Sequence, residues 1–312
     1  MTDLWKRGRR ALATCLLAYL GLVPGSIVAQ DGDLEKSNVV VIREAANRNL
    51  DRRLEVKVVA DGTSSRQQRA TSVEELPWNE MNPGAREKTR EILEDLSLFR
   101  RLPTVALESD RRTYDFFVDH PDVAVALWRA MGISRVQLRE AGMLCYETDT
   151  CDGTTGTIEV LHRTPSSCLI LCKGQFQSPA LSRPIQADAL MHLQPEFKEN
   201  DLIVHRFDLF VSFPSQTVET IAKVISPISN RIADRNFEEV SLFVEMMNRG
   251  MALQPGWVEQ VAQKLEGVSP NRPDELLELT AAIYVEANRR QQPGSGSVLV
   301  PLPPVSQATA ME

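Results

Sequence analysis

The chain has 312 residues, a formal net charge of −7 with His neutral, and 43% hydrophobic residues. That length allows one large domain or a core with appendages, and the apolar share is ordinary for a globular protein. The acidic balance is a poor match for nucleic acid or for anionic lipid headgroups, which argues against a nucleic-acid partner.

Residues 1–29 read as a secretory signal peptide. Lys6, Arg7, Arg9 and Arg10 form a basic n-region, and Ala11 to Val23 are largely apolar but short for a bilayer span. Pro24 and Gly25 break the helix, and Ile27-Val28-Ala29 offers a cleavage site before Gln30. The expected location is therefore export, periplasmic or extracellular, or an N-terminal membrane anchor if the segment stays uncleaved. Its loss removes four basic groups and Asp3, so the mature charge becomes −10. No second segment is long enough to span a membrane.

Residues 30–112 read as an N-terminal extension. Val39 to Ile42 and Leu54 to Val59 suggest short strands, and Ser64 to Ala70 suggests a linker. Pro83-Gly84 opens an amphipathic helix expected from Ala85 to Arg101, with Ile92, Leu93, Leu96 and Phe99 on one face. Thr104 to Leu107 is a short apolar run.

Residues 113–250 read as the core domain. Asp119-His120-Pro121-Asp122 is a helix start, with an acidic cap and Pro in the first turn, and Gly132 marks the end of that helix. Strands are expected at Val136–Leu138, Leu144–Thr148, Thr157–Arg163, Cys168–Phe176, Ile185–Phe197 and Leu202–Phe213. A turn at Lys198-Glu199-Asn200 would set Leu193 opposite His205 and Met191 opposite Phe207. One face of this hairpin is then almost wholly apolar. The other mixes Asp188, His192, Arg206 and Asp208 with Leu190, Val204 and Phe210. A helix over 217–226 meets Pro227, where it kinks or breaks, and continues from Ile228 to Met247. Residues 251–290 add two helices, Trp257–Leu265 and one opened by Pro273, and residues 291–312 read as a disordered tail.

No nucleophile elbow, zinc-protease helix, phosphate loop or dinucleotide motif is present, so no catalytic residue, metal site or cofactor is assigned. Four cysteines follow the leader: Cys145, Cys151, Cys168 and Cys172. The last two lie four apart on an expected strand, roughly 13 Å from each other, too far to bridge. A disulfide would run to Cys145 or Cys151; buried free thiols are the other reading. Among the histidines, His120 sits in the helix cap and His192 on the mixed strand face. Strand alternation aims His162 and His205 toward the apolar side, as core histidines or as polar anchors in a greasy pocket. Tyr146, Met191 and Phe207, with Met143 and Phe176, are candidates for its lining.

The order from Asp119 to Met247, a capped helix, antiparallel strands and a long apolar helix meeting Pro227, resembles the helix-grip fold of the START-like superfamily. That superfamily includes polyketide cyclase-like and Bet v 1-like proteins. The resemblance implies an α+β fold in which a curved antiparallel sheet wraps a long C-terminal helix and encloses a hydrophobic cavity. It carries over no catalytic residue. The expected function is an exported protein that binds a hydrophobic small molecule or lipid between sheet and helix. The alternatives are a cyclase- or hydrolase-like enzyme using that cavity, or an envelope-associated interaction protein without ligand.

Overall fold

A computed structural model describes residues 56–177, 183–214 and 227–291. The leader, the Val39–Ile42 strand, the 217–226 helix and the tail after Gln291 were all expected from sequence and lie outside the described residues. The fold is α+β. Among the described residues nine strands form one antiparallel sheet, open at both ends, in the order β1 (Lys57–Ala60), β3 (Thr104–Glu108), β9 (Leu202–Ser212), β8 (Ile185–Phe197), β7 (Ser167–Phe176), β6 (Thr154–Thr164), β5 (Cys145–Asp149) and β4 (Gln137–Gly142), and β2 (Leu96–Arg101) also pairs with β9.

The chain enters through β1 (Lys57–Ala60) and then forms α1 (Arg66–Glu74), α2 (Pro83–Glu94), β2 (Leu96–Arg101) and β3 (Thr104–Glu108). The stretch expected to be a linker is thus helix α1, started by the Ser65 hydroxyl, which accepts from the Gln68 N–H at 3.1 Å. The helix expected to reach Arg101 stops at Glu94. Leu96 to Arg101 pair instead with Ser212 to Asp208 of β9 (Leu202–Ser212), so their apolar residues serve a sheet. β3 takes the other half of the same β9 edge, Leu202 to His205, and the Leu102 N–H donates to the Phe207 carbonyl between them. The boundary expected near residue 112 therefore does not divide the sheet, since β1 to β3 belong to it.

Next come α3 (Arg111–Asp119), which the sequence reading did not separate, and α4 (Pro121–Ala130). Strands β4 (Gln137–Gly142), β5 (Cys145–Asp149), β6 (Thr154–Thr164), β7 (Ser167–Phe176) and β8 (Ile185–Phe197) follow as a meander into β9. The β8–β9 hairpin has Leu193 opposite Phe207 and Met191 opposite Leu209, two residues from the expected register. Asn200 and Asp201 both adopt positive φ, which lengthens the turn. A shift of two leaves every side chain on its expected face. The chain ends in α5 (Pro227–Leu253), α6 (Pro255–Ala262) and α7 (Arg272–Gln291).

Both faces of the sheet are covered. On one, Met191, Phe207, Leu209 and Val211 pack with Phe237, Phe243, Met247 and residues of α3, α4, α6 and α7. On the other, Leu161, Leu169, Leu171, Leu190, Phe210 and Phe99 pack with Leu76, Met81, Ala85 and Ile92. This second layer explains the mixed face of β8 and β9. Arg101 donates to both oxygens of the fully buried Asp208 at 2.6 Å and to Glu75 at 2.7 Å. Arg100 clamps Asp234 of α5, with Nε to Oδ1 at 2.9 Å. Gly62 passes so near this pair that a Cβ there would lie 2.6 Å from the guanidinium. Asp234 lies within the continuous helix α5.

Asp208→Ala leaves the Arg101 guanidinium without its main partner in a dry layer. Urea denaturation should show a loss of about 3–5 kcal/mol, against under about 1 kcal/mol for a solvated surface pair.

Candidate functional site

Four of the five residues expected to line a ligand cavity share one core, and the fifth lies on the other side of the sheet. His205, Tyr146, Met191 and Phe207 belong to the larger core. His162 faces the other way. A β-bulge between Val160 and His162 inserts a residue, so Leu161 and His162 both turn toward the α1–α2 layer. His162 Nε2 lies 3.1 Å from Glu80 Oε2. Met143 is 90% exposed at the β4–β5 hairpin tip and lines nothing.

His205 is consumed by protein partners. The Ser241 hydroxyl donates to the Phe237 carbonyl at 2.7 Å, so it accepts from His205 Nε2–H at 2.8 Å. Nδ1 is then left to accept from the Tyr114 hydroxyl at 2.9 Å. The Phe237 ring closes the site, with centroids 4.6 Å apart. Burial pushes His205 down to about 3 and raises Tyr114. Every polar side-chain atom of this chain of hydroxyls and imidazole is thus bonded within the protein. His192, expected on the mixed strand face, is buried against Ser167 at 2.9 Å, and burial pushes it down to about 4.

None of these four cysteines forms a disulfide: Cys151 is exposed, Cys145 half-buried, Cys168 and Cys172 buried. Strand spacing keeps the last two apart, and neither pairs with Cys145 or Cys151. Burial pushes the Cys168 thiol up to about 12 and raises Cys172 as well. Among the described residues no three His, Cys, Asp or Glu side chains are arranged to hold a metal.

Unpartnered polar groups gather instead where α3 turns into α4 beneath the start of α7. Asp119 bonds Arg163 at 2.7 Å, so the N-cap position of α4 falls to His120, whose side chain makes no capping bond. Asp122 follows in the first turn, only 1% exposed, and neither carboxylate oxygen has an aligned partner. Burial raises its pKa, while Arg272 and the first-turn N–H groups of Val123 and Asp122 pull against it. His120 Nδ1 is buried and unpartnered, its ring packs edge-on to Phe116, and burial followed by the Arg272 charge lowers its pKa. Arg272 comes across from α7. Its Nη1 donates to Glu275 at 2.7 Å and lies 3.5 Å from His120 Nε2, while its Nε is buried without a partner. Glu140 of β4 sits 3.9 Å from Nη2 and also accepts from Ser269. Tyr146 joins through its hydroxyl, which donates to the Asp119 carbonyl at 3.4 Å, and burial pushes it up to about 12.

The sequence reading found His120 and Asp122 but assigned them to a helix cap, and it missed Arg272. One signal was available. A cation at the first residue of a helix opposes the macrodipole, so Arg272 needs carboxylates nearby. Glu275 follows three residues later; Asp122 and Glu140 come from distant sequence and could not be matched to it.

No protein-family model and no curated protein matches the chain. Among solved structures it is similar to a conserved protein of Geobacillus kaustophilus, with 11% identity over 52% of this chain and 95% of that one, TM-score 0.34. It is also similar to a hypothetical protein of Helicobacter pylori, with 10% identity over 45% of this chain and 83% of that one, TM-score 0.31.

Two measurements check this geometry. An unfolded histidine takes up a proton near pH 6.5, whereas His192 and His205 stay neutral in the fold until about pH 4 and 3. The unfolded state then binds more protons, so stability is full above pH 6.5 and falls as the pH drops. The loss at pH 5 is about 2 kcal/mol for each histidine, and denaturation at pH 7 and 5 should show it shrinking in His192→Asn. Iodoacetamide on the folded protein, followed by peptide mass analysis, should label Cys151 first and leave Cys168 and Cys172 unmodified until unfolding.

Proposed function

We propose that this chain is an exported binding protein that holds the polar head of an amphipathic small molecule at Asp122, His120 and Arg272. Export rests on the basic, apolar and small-residue pattern of residues 1–29. The observation that carries the reading is the buried Asp122 carboxyl, whose oxygens meet only the poorly aligned first-turn N–H groups of Val123 and Asp122, beside two more buried unpartnered nitrogens. Such a group costs about 1–3 kcal/mol unless something bonds it. The interior between sheet and α5 is a less suitable ligand site than the START-like resemblance implied. There Phe237 packs on Phe207 with ring centroids 5.5 Å apart, and His205 has no bond to offer. We therefore read the helix-grip-like layer as a solid backing, with the ligand at its margin and the Phe116 ring beside its polar head.

A second reading, an envelope-associated interaction protein without a small ligand, is favoured by the outer face of α7. Tyr284 and Val285 are 40% and 46% exposed there, and Val285 borders an open groove of about 580 Å³ with Ala281, Ala282, Arg112 and Glu286.

Native mass spectrometry of protein purified from its own host separates the two. Binding predicts extra mass on the wild type that is lost in Asp122→Leu, with unchanged circular dichroism. An apo mass for both proteins, with equal or greater thermal stability in the variant, would reject the small-molecule reading and favour the docking surface.

A further inference from the structure

We infer that the group recognised at the Asp122 site is an uncharged carboxamide, a planar unit that accepts and donates at once. This rests on the binding reading above and follows from the polar atoms that the site leaves unpaired. Arg272 Nη1 reaches toward His120 Nε2 at 3.5 Å, and an arginine can only donate. Nε2 is therefore the acceptor, and the buried Nδ1 carries the imidazole proton. Glu275 does not reverse this assignment. Its Oε2 is 3.8 Å from Nε2 and already accepts from Arg272 at 2.7 Å. The site thus offers two N–H donors, His120 Nδ1 and Arg272 Nε, and the acceptor oxygens of Asp122.

Charge narrows the ligand further. The Arg272 guanidinium is matched by Glu275 and faces Glu140 and Asp122 as well. An anion entering here would meet three carboxyl groups and a cation already neutralised. An ammonium would suit Asp122 but would sit against Arg272 and leave both N–H donors unbonded. A carboxamide satisfies all of them, since its carbonyl accepts the N–H groups and its NH₂ donates to Asp122. The Arg272 and His120 side chains are 17% and 22% exposed, so a terminal amide can enter with the rest of its molecule outside.

The test uses the full chain with four probes at equal concentration: acetamide, acetate, methylammonium and ethylene glycol. Side-chain resonances of Arg272 Nε–H and the His120 ring, followed by NMR, report binding. Acetamide should shift both saturably, with the other three probes roughly tenfold weaker or more, the loss expected for one missing hydrogen bond. Asp122→Leu and His120→Phe should each weaken acetamide by at least a similar factor. The wild-type ranking decides even if a variant fails to fold. Equal or tighter binding of acetate, methylammonium or glycol overturns the carboxamide, as does silence of all four probes. A co-purified molecule whose mass is lost in Asp122→Leu but which carries no amide would do the same. In that case the binding reading survives, whereas an apo mass in every preparation removes that reading itself.

Discussion

Strands β7, β8 and β9 are apolar on both faces, and a sheet of that kind must be covered twice. Leu169, Leu171, Leu190 and Phe210 look one way, while Met191, Phe207, Leu209 and Val211 look the other. The long helix α5 and its neighbours cover one side. Helices α1 and α2 cover the other, so a segment that reads as an appendage is half of the sandwich. The site follows from the same demand. With both sheet faces committed to packing, unpaired polar atoms find room at the margin, where α4 begins under α7.

The second layer is apolar at its centre and ionic around it. Lys88 reaches Glu159 at 2.7 Å, and Arg101 joins Glu75 to Asp208. Taking charges out of water costs several kcal/mol each, so the buried Arg101–Asp208 pair contributes little net stability beyond an apolar replacement. Its effect is better seen in register. Arg101 lies directly opposite Asp208 in the β2–β9 ladder. A slip of one residue would face the guanidinium with Phe207 or Leu209, both core residues. Breaking the pair is costly in a way that making it is not rewarding, and that asymmetry selects one alignment for a short edge strand.

Much of this was legible in the sequence where one periodicity persisted. The strands from Thr154 to Ser212 have alternation long enough to survive small errors, and a hairpin displaced by two residues still presents the right faces. Pro273 marks the start of the last helix because its missing N–H fits the first turn, and the helix expected from Trp257 begins two residues earlier, at Pro255, for the same reason. Short or interrupted signals were lost. Leu96 to Phe99 continue the apolar stripe of α2 and also alternate as a strand; the β9 edge decided, and no local pattern contains β9. One inserted residue at Leu161 turned His162 to the opposite face. His120 and Asp122 were visible as residues but not as a site, because what separates a helix cap from a buried unpaired carboxyl is the helix lying over it, 150 residues further on.

The histidines show why burial alone identifies no site. His205 is deeper than His120, yet its nitrogens are matched by Tyr114 and Ser241, and its low pKa records a completed network. His120 and Asp122 are shifted in opposite directions toward their neutral forms and are not bonded to each other. A buried donor and a buried acceptor that leave each other unsatisfied each carry a desolvation cost that folding has not recovered. The Asp122 neighbourhood could shed that cost with an apolar residue of similar size. A molecule that bonds both groups recovers it on binding, so the same unpaired atoms that weaken the free protein add to its affinity for a matching ligand.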